Sequence, residues 1–204
     1  MSGLFVTVDG PCGIGKTTVS LLLRDKLVAR GIWAVLTTTP SRSRIGELAR
    51  HGTYDFHGEA LTCLVAADRY HHERVIVRPS VEQGAVVVCD RYVPGALVLD
   101  PLDGVEPDFV RDVYRRIAVP DIAFVLLGDP AVCAARAAAR GRYSRFHATD
   151  DEDSRRELAM FKEAAVFLRA TGYPARDHNI GSASAGEVAE ELVSAIMHEG
   201  DGGV

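Results

Sequence analysis

The chain lacks a cationic excess. Its 204 residues carry 23 Lys and Arg against 28 Asp and Glu, a formal charge of −5. That excludes a global basic field, so neither a nucleic-acid polymer nor an anionic membrane is an expected partner. No apolar run approaches the roughly 20 residues of a membrane-spanning helix. Met1-Ser-Gly-Leu-Phe-Val enters a strand pattern at once, so no secretory leader is expected either. Among Cys12, Cys63, Cys89 and Cys133 there is no close pair of the zinc or redox kind. Cys63, Cys89 and Cys133 fall in helix or strand patterns and are expected to be buried free thiols, in a cytoplasmic protein. No Asn-Lys-x-Asp guanine signature, Ser/His/Asp set or paired catalytic carboxylates stands out. His71 and His72 are adjacent on a helical pattern, point different ways, and read as surface residues.

What is present is an alternation of strands and helices. Apolar residues make up 47% and charged residues 25% of the chain, ordinary for one globular domain over 1–204. Strand patterns lie at Leu4–Asp9, Trp33–Thr39, Ala85–Asp90 and Ile122–Leu127, with a weaker one at Ala175–Ile180. Helical patterns cover Thr17–Arg30, Glu59–Arg78 (stopped by Pro79), Pro107–Ile117, Pro130–Arg140, Asp151–Leu168 and Ala185–Met197. The expected fold is α/β in three layers, a five-stranded parallel sheet with helices on both faces, which the Gly10-Pro-Cys-Gly-Ile-Gly-Lys-Thr17 loop after the first strand makes a P-loop NTPase fold.

Gly10-Pro-Cys-Gly-Ile-Gly-Lys-Thr17 fits Gly, four residues, Gly, Lys, Ser/Thr, between a strand and a helix. The backbone of Gly10, Cys12, Gly13, Ile14 and Gly15 is expected to cradle phosphates at a helix N-terminus, with Thr18 beside it. Lys16 would reach the β- and γ-phosphates of ATP, and the Thr17 hydroxyl would hold Mg²⁺. Cys12 reads either as a reactive thiolate near Lys16 or as a small residue that fits the loop.

Asp90-Arg91-Tyr92 follows the third strand, on the edge where parallel sheets bind ligands. Asp90 could hold Mg²⁺ through water or orient Arg91, and Arg91 could fork onto a phosphate; the alternative is a surface ion pair. Arg69 sits on a helix whose apolar stripe is Cys63, Leu64, Ala67 and Val75, and faces the cleft or solvent. Of Arg42 and Arg44 after strand two, one is expected to meet an acceptor phosphate. Arg136, Arg140, Arg142 and Arg145 cluster around Gly141, in a stretch expected to act as a lid over a triphosphate. A local nucleic-acid patch is the rival reading. Thr37-Thr-Thr-Pro40 holds no acid to deprotonate a hydroxyl acceptor, which favours an acceptor that is already a phosphate.

Together, Asp9–Thr18, Ala66-Ala-Asp-Arg69, Cys89-Asp-Arg-Tyr-Val93, Pro120–Pro130 and the arginine-rich stretch resemble the thymidylate kinase family of nucleoside-monophosphate kinases. The resemblance implies ATP and Mg²⁺, and a nucleoside-monophosphate acceptor held by Arg42, Arg69 and Arg91. It implies catalytic arginines in a lid at about 141–150, with Arg142 and Arg145 the candidates beside Lys16. Asp9 is a possible base or magnesium-water anchor. A homodimer through the helices flanking Asp90-Arg91-Tyr92 is also implied. Tyr92, Val65 and Asp100 fall in the acceptor region. There the chain departs from the family. Val65 stands where an aromatic usually stacks on thymine, and Leu99-Asp100 stand where Tyr-Gln is usual. A carboxylate accepts hydrogen bonds where an amide also donates. The acceptor is therefore expected to be a modified or non-dTMP nucleotide. An unusual nucleoside, another small metabolite, or a non-catalytic nucleotide-binding role are the alternatives.

Overall fold

The computed structural model describes residues 3–141, 145–146 and 150–201. Five parallel strands form one sheet in the order β2-β3-β1-β4-β5: β1 Leu4–Asp9, β2 Ala34–Thr38, β3 Val86–Asp90, β4 Ile122–Leu127 and β5 Ala175–Asn179. The central strands β1, β3 and β4 are buried along their whole length, as near-continuous apolar runs covered on both faces must be. Alternate side chains divide the core. Val6, Val8, Val86 and Val88 pack on Leu23 and Leu27 of helix α1 (Lys16–Ala29) and on Leu192 and Ile196 of α9 (Ala185–Asp201). On the opposite face Phe5, Val87 and Cys89 meet Tyr92, Val93, Val110 and Tyr114. The edge strand β5, Ala-Arg-Asp-His-Asn, is mostly solvent-facing, which is why its pattern is weak.

The remaining helices are α2 Arg44–His51, α3 Gly58–His72, α4 Arg78–Glu82, α5 Val93–Leu102, α6 Pro107–Tyr114, α7 Pro130–Arg140 and α8 Asp151–Ala170. Two of them, α2 and α5, were not expected from periodicity. Ser43 starts α2 by accepting from the Gly46 N–H at 3.1 Å. The Asp9 carboxylate starts α5 by accepting from the amides of Tyr92 and Gly95 at 3.0 and 3.1 Å, a long-range cap that local sequence does not show.

Pro79 does not stop its helix. A π turn at Glu73–Val77 absorbs the mismatch, and Pro79 sits in the first turn of α4, where its missing N–H is harmless. The expected apolar stripe on α3 is also corrected. Cys63 and Ala67 are exposed, as is Val75 in the π turn, while Leu61, Thr62, Ala66, Asp68, Arg69 and His72 are buried. Cys63 is thus an exposed thiol, unlike Cys12, Cys89 and Cys133. His72 is buried rather than on the surface, its Nε2 2.6 Å from the Thr37 hydroxyl, which joins α3 to β2. No helix among the described residues is long and apolar enough to cross a membrane.

Gly13 has no room for a side chain. Its φ is +76°, and a Cβ would lie 2.1 Å from the Cys133 carbonyl oxygen of α7. Gly13→Ala is expected to cost roughly 2 kcal/mol or more, through left-handed strain plus the clash, read as a lowered Tm together with weakened ATP binding.

Candidate active site

The ends of β1, β2 and β3 open onto one cleft of about 1140 Å³. Its lining includes Asp9, Gly10, Cys12, Lys16, Thr17, Thr18 and Asp90, the donor end expected from the sequence, and Arg42, Val65, Arg69, Arg91, Leu99 and Asp100, the expected acceptor end. The sequence expectation that these residues share one site is met in space.

The loop turns through Gly10 at φ +142°, Gly13 at +76° and Gly15 at +102°, conformations open to glycine. Lys16 is buried, and its Nζ donates to the loop's own carbonyls, Gly10 O at 2.6 Å and Pro11 O at 2.7 Å. Burial, and then the neighbouring Arg91, push its ammonium down to about 8. Glu157 of α8 fills part of the cradle: the Cys12 N–H donates to its Oε2 at 3.0 Å. Burial raises this carboxyl above the usual range, and nearby Lys16 opposes the rise. The loop therefore holds an anionic group of its own, made by a residue the sequence pattern did not single out. Arg140 was named only as part of a cluster. It donates from Nη2 to Cys12 Sγ at 3.3 Å, so the end of α7 reaches the phosphate loop. Cys12 is buried under this contact, the setting of a fitted residue.

Thr17 Oγ1 donates to Asp90 Oδ2 at 2.6 Å. Asp90 Oδ1 is buried and has no hydrogen-bond partner. Asp90 is thus an interior carboxylate tied to the loop threonine, not half of a surface ion pair. Asp9 gives Oδ1 to the start of α5, and its Oδ2 is buried without a partner. Burial raises its carboxyl, opposed by those amide bonds. Arg91 has φ +72°, the one non-glycine residue with positive φ among the described residues. Its backbone is pinned there, the N–H donating to Val8 O at 3.0 Å and the carbonyl accepting from Thr39 Oγ1 at 2.6 Å.

On the acceptor side Asp68 organises the loop after β2. It accepts from the Ser41 N–H and hydroxyl, both at 2.6 Å, and from the Ser43 hydroxyl at 2.9 Å. Arg42 lies between these anchors, exposed at the cleft rim. Arg69 is buried, donates from Nε to Thr39 Oγ1 at 3.3 Å, and lies 5.0 Å from the Tyr114 ring centre. Its Nη1 is buried with no partner. The reading of Arg69 as a solvated helical arginine is thereby excluded. Asp100 accepts from the Thr62 hydroxyl; burial pushes its carboxyl up to about 6, against the pull of Arg69. Its Oδ2 is buried and unpartnered.

Tyr92 corrects the expectation of an acceptor-binding residue. It is a core side chain, packed edge-on to Phe5 with ring centres 5.1 Å apart, and its hydroxyl donates to Ala118 O at 3.0 Å. Arg142 lies outside the described residues, as do most of residues 141–150. Arg145 is not at the phosphate loop. It donates to Phe56 O at 2.8 Å, meets His57 Nδ1 at 2.6 Å, and pairs with Asp103. Acceptors at Phe56, His57 and Asp103 satisfy the guanidinium.

A glycine-rich loop at a helix start and a set of arginines lining one cleft at the strand ends have the form of a P-loop kinase site. The thymidylate kinase family model matches residues 8–172. A probable thymidylate kinase of Caldivirga maquilingensis is 31% identical over 198 residues, covering 95% of this chain and 91% of that protein. A thymidylate kinase of Clavibacter sepedonicus is 38% identical over 162 residues, 72% of this chain and 74% of that protein. The fold matches the crystal structure of thymidylate kinase from Ehrlichia chaffeensis with a TM-score of 0.73 at 20% identity, over 96% of this chain and 100% of that one. The chain belongs to the thymidylate kinase family. It is a nucleotide kinase, carrying out ATP-dependent phosphoryl transfer to a nucleoside monophosphate.

The lowered Lys16 gives a calorimetric test. A triphosphate beside it restores the charged form, so binding above about pH 8 draws a proton from buffer. A non-hydrolysable ATP analogue titrated near pH 8.5 in buffers of different ionisation enthalpy is expected to show that uptake; identical enthalpies in all buffers would contradict it.

Proposed function

We propose that the acceptor is a nucleoside monophosphate other than unmodified dTMP, one that presents to Asp100 a donor beyond the N3–H and 3′-hydroxyl of dTMP, such as an exocyclic amino group or an added hydroxyl. The observation that carries this is the buried, unpartnered Oδ2 of Asp100 in the acceptor end of the cleft, beside aliphatic Val65 and Leu99. An unpaired buried acceptor is costly, and a ligand donor removes that cost, while a ligand carbonyl would be repelled.

In this reading Arg42, Arg69 and Arg91 hold the acceptor phosphate and turn one oxygen toward the donor. Lys16 exchanges the loop carbonyls for phosphate oxygens, and Glu157 withdraws from Cys12 N–H. Asp90 and Thr17 suit Mg²⁺: Asp90 Oδ1 is buried and unspent, while Oδ2 accepts from the Thr17 hydroxyl. Among the described residues no three His, Cys, Asp or Glu side chains form a metal cage, which fits an ion held by one or two protein groups plus water and phosphate. When bound, Mg²⁺ supplies charge neutralisation across the transferred phosphates. Asp9, with a raised carboxyl and a spare Oδ2, orders water or takes a proton at the same edge. Arg142 and Arg145 are proposed to neutralise the transferring group, which for Arg145 requires release from Asp103. A homodimer through the exposed apolar side of α3 and its π turn, and a cytoplasmic setting for the four free cysteines, complete the proposal.

A coupled ADP-release panel of nucleoside monophosphates is the test. At least one is expected to exceed dTMP in kcat/KM; dTMP as the best acceptor would sink the proposal. Asp100→Gln is expected to move the selectivity ratio toward dTMP by about tenfold, the scale of one buried hydrogen bond gained or lost.

The same carboxyl gives a pH signature. Asp100 titrates at about 6, so below that pH it carries a proton and turns from acceptor to donor. The acceptor KM is expected to rise as pH falls through 6, and to rise less in Asp100→Asn, where only the acceptor phosphate titrates in that range.

A further inference from the structure

Asp68 of α3 is wholly buried, at 0% exposure. A carboxylate in that setting is costly unless its oxygens are filled. The bonds that fill them come from the short loop after β2. Oδ2 accepts from the Ser41 N–H at 2.6 Å, and Oδ1 accepts from the Ser41 hydroxyl at 2.6 Å and the Ser43 hydroxyl at 2.9 Å. The loop is held from its other side as well. The Ser41 hydroxyl accepts from the Ser43 N–H at 3.0 Å, and the Ser43 hydroxyl accepts from the Gly46 N–H at 3.1 Å at the start of α2. Gly46 lies so close that a Cβ on it would come within 2.2 Å of the Ser41 carbonyl oxygen. Ser41 is therefore gripped between α3 and α2. Arg42, between the two held serines, is exposed and lines the cleft. Asp68 itself does not line the cleft, so it acts on a ligand only through another residue.

We propose that Asp68 is a positioning residue for the acceptor phosphate, acting through Arg42. This rests on the reading of Arg42 as a group that holds that phosphate. An arginine on a loop that samples several conformations binds with its affinity cut by the fraction in the competent one. The Asp68 carboxylate removes that loss by holding the loop in one arrangement. An asparagine fills the same space but offers one accepting oxygen in place of two. Arg69 follows Asp68 directly on α3 and is buried, donating to Thr39 Oγ1 at 3.3 Å at the head of the same loop. One turn of α3 thus sets two arginines, Arg69 by sequence and Arg42 through hydrogen bonds.

The test is steady-state kinetics with the acceptor that performs best in the monophosphate panel. Asp68→Asn is expected to raise the acceptor KM about tenfold, with the KM for ATP within twofold of the unaltered enzyme. Ser41→Ala leaves the carboxylate its other bonds and is expected to show the same split at about threefold. Arg42→Ala raises the acceptor KM itself, and in its background Asp68→Asn is expected to add less than about twofold, because the two act as one unit. An unchanged acceptor KM in both Asp68→Asn and Ser41→Ala overturns the proposal. So does an equal rise in both KM values, or an effect that persists in full without Arg42; either marks a merely structural residue. If Asp68→Asn does not fold, Ser41→Ala with and without Arg42→Ala decides by the same readings. If Arg42→Ala leaves the acceptor KM unchanged, or the unaltered chain phosphorylates no monophosphate, the reading of the site fails and the role of Asp68 goes with it.

Discussion

Parallel pairing of β1 with β3 sets Val8 opposite Asp90, so that Asp9 and Asp90 leave neighbouring strand ends one residue apart and toward opposite faces of the sheet. Everything in the cleft is measured from this register. Asp90 takes the Thr17 hydroxyl and so fixes the first turn of α1 against β3. Asp9 takes the first amides of α5 and so aims that helix, and Asp100 with it, at the acceptor end. A one-residue slip of either strand would turn its own carboxylate to the other face. The valine-rich interiors of the two strands forbid that slip by burying alternate faces against different helices.

The electrostatic consequence is a site assembled around charge that it cannot by itself neutralise. Asp9, Asp90 and Asp100 each keep one buried oxygen without a partner, and Arg69 keeps one buried nitrogen. Such groups are expensive in a low-dielectric interior and cheap once a charged ligand completes them. Lys16 and Glu157 show the same tension from opposite sides: burial lowers the ammonium and raises the carboxyl. The cradle balances this tension internally, with backbone carbonyls for the lysine and a glutamate for the loop amide. Incoming phosphates would have to displace these partners.

Much of this was legible in the chain. The five strands, the phosphate loop, and the convergence of Asp90, Arg91, Arg69 and Arg42 on one edge follow from short motifs whose geometry is local. What escaped was non-local. Helix α5 is capped by an aspartate more than eighty residues earlier, and no periodicity reports that. Glu157 and Asp68 act on loops far off in sequence, so they look like solvated helical acids. Tyr92 followed the motif to the wrong role because the same turn that exposes Arg91 sends its neighbour into the core. Arg145 carried the charge of a phosphate ligand, yet nearby carbonyls and Asp103 satisfied it first.

The left-handed backbone of Arg91 bears on whether this chain is a working enzyme or a retired one. A side chain there costs on the order of 1 kcal/mol that glycine would not. A protein that merely folded, or merely held a nucleotide, would gain stability by giving the arginine up. Its presence at that strained corner of a cleft also lined by Lys16 and Arg69 is a local cost in stability, which the phosphate-holding role proposed for its guanidinium would account for.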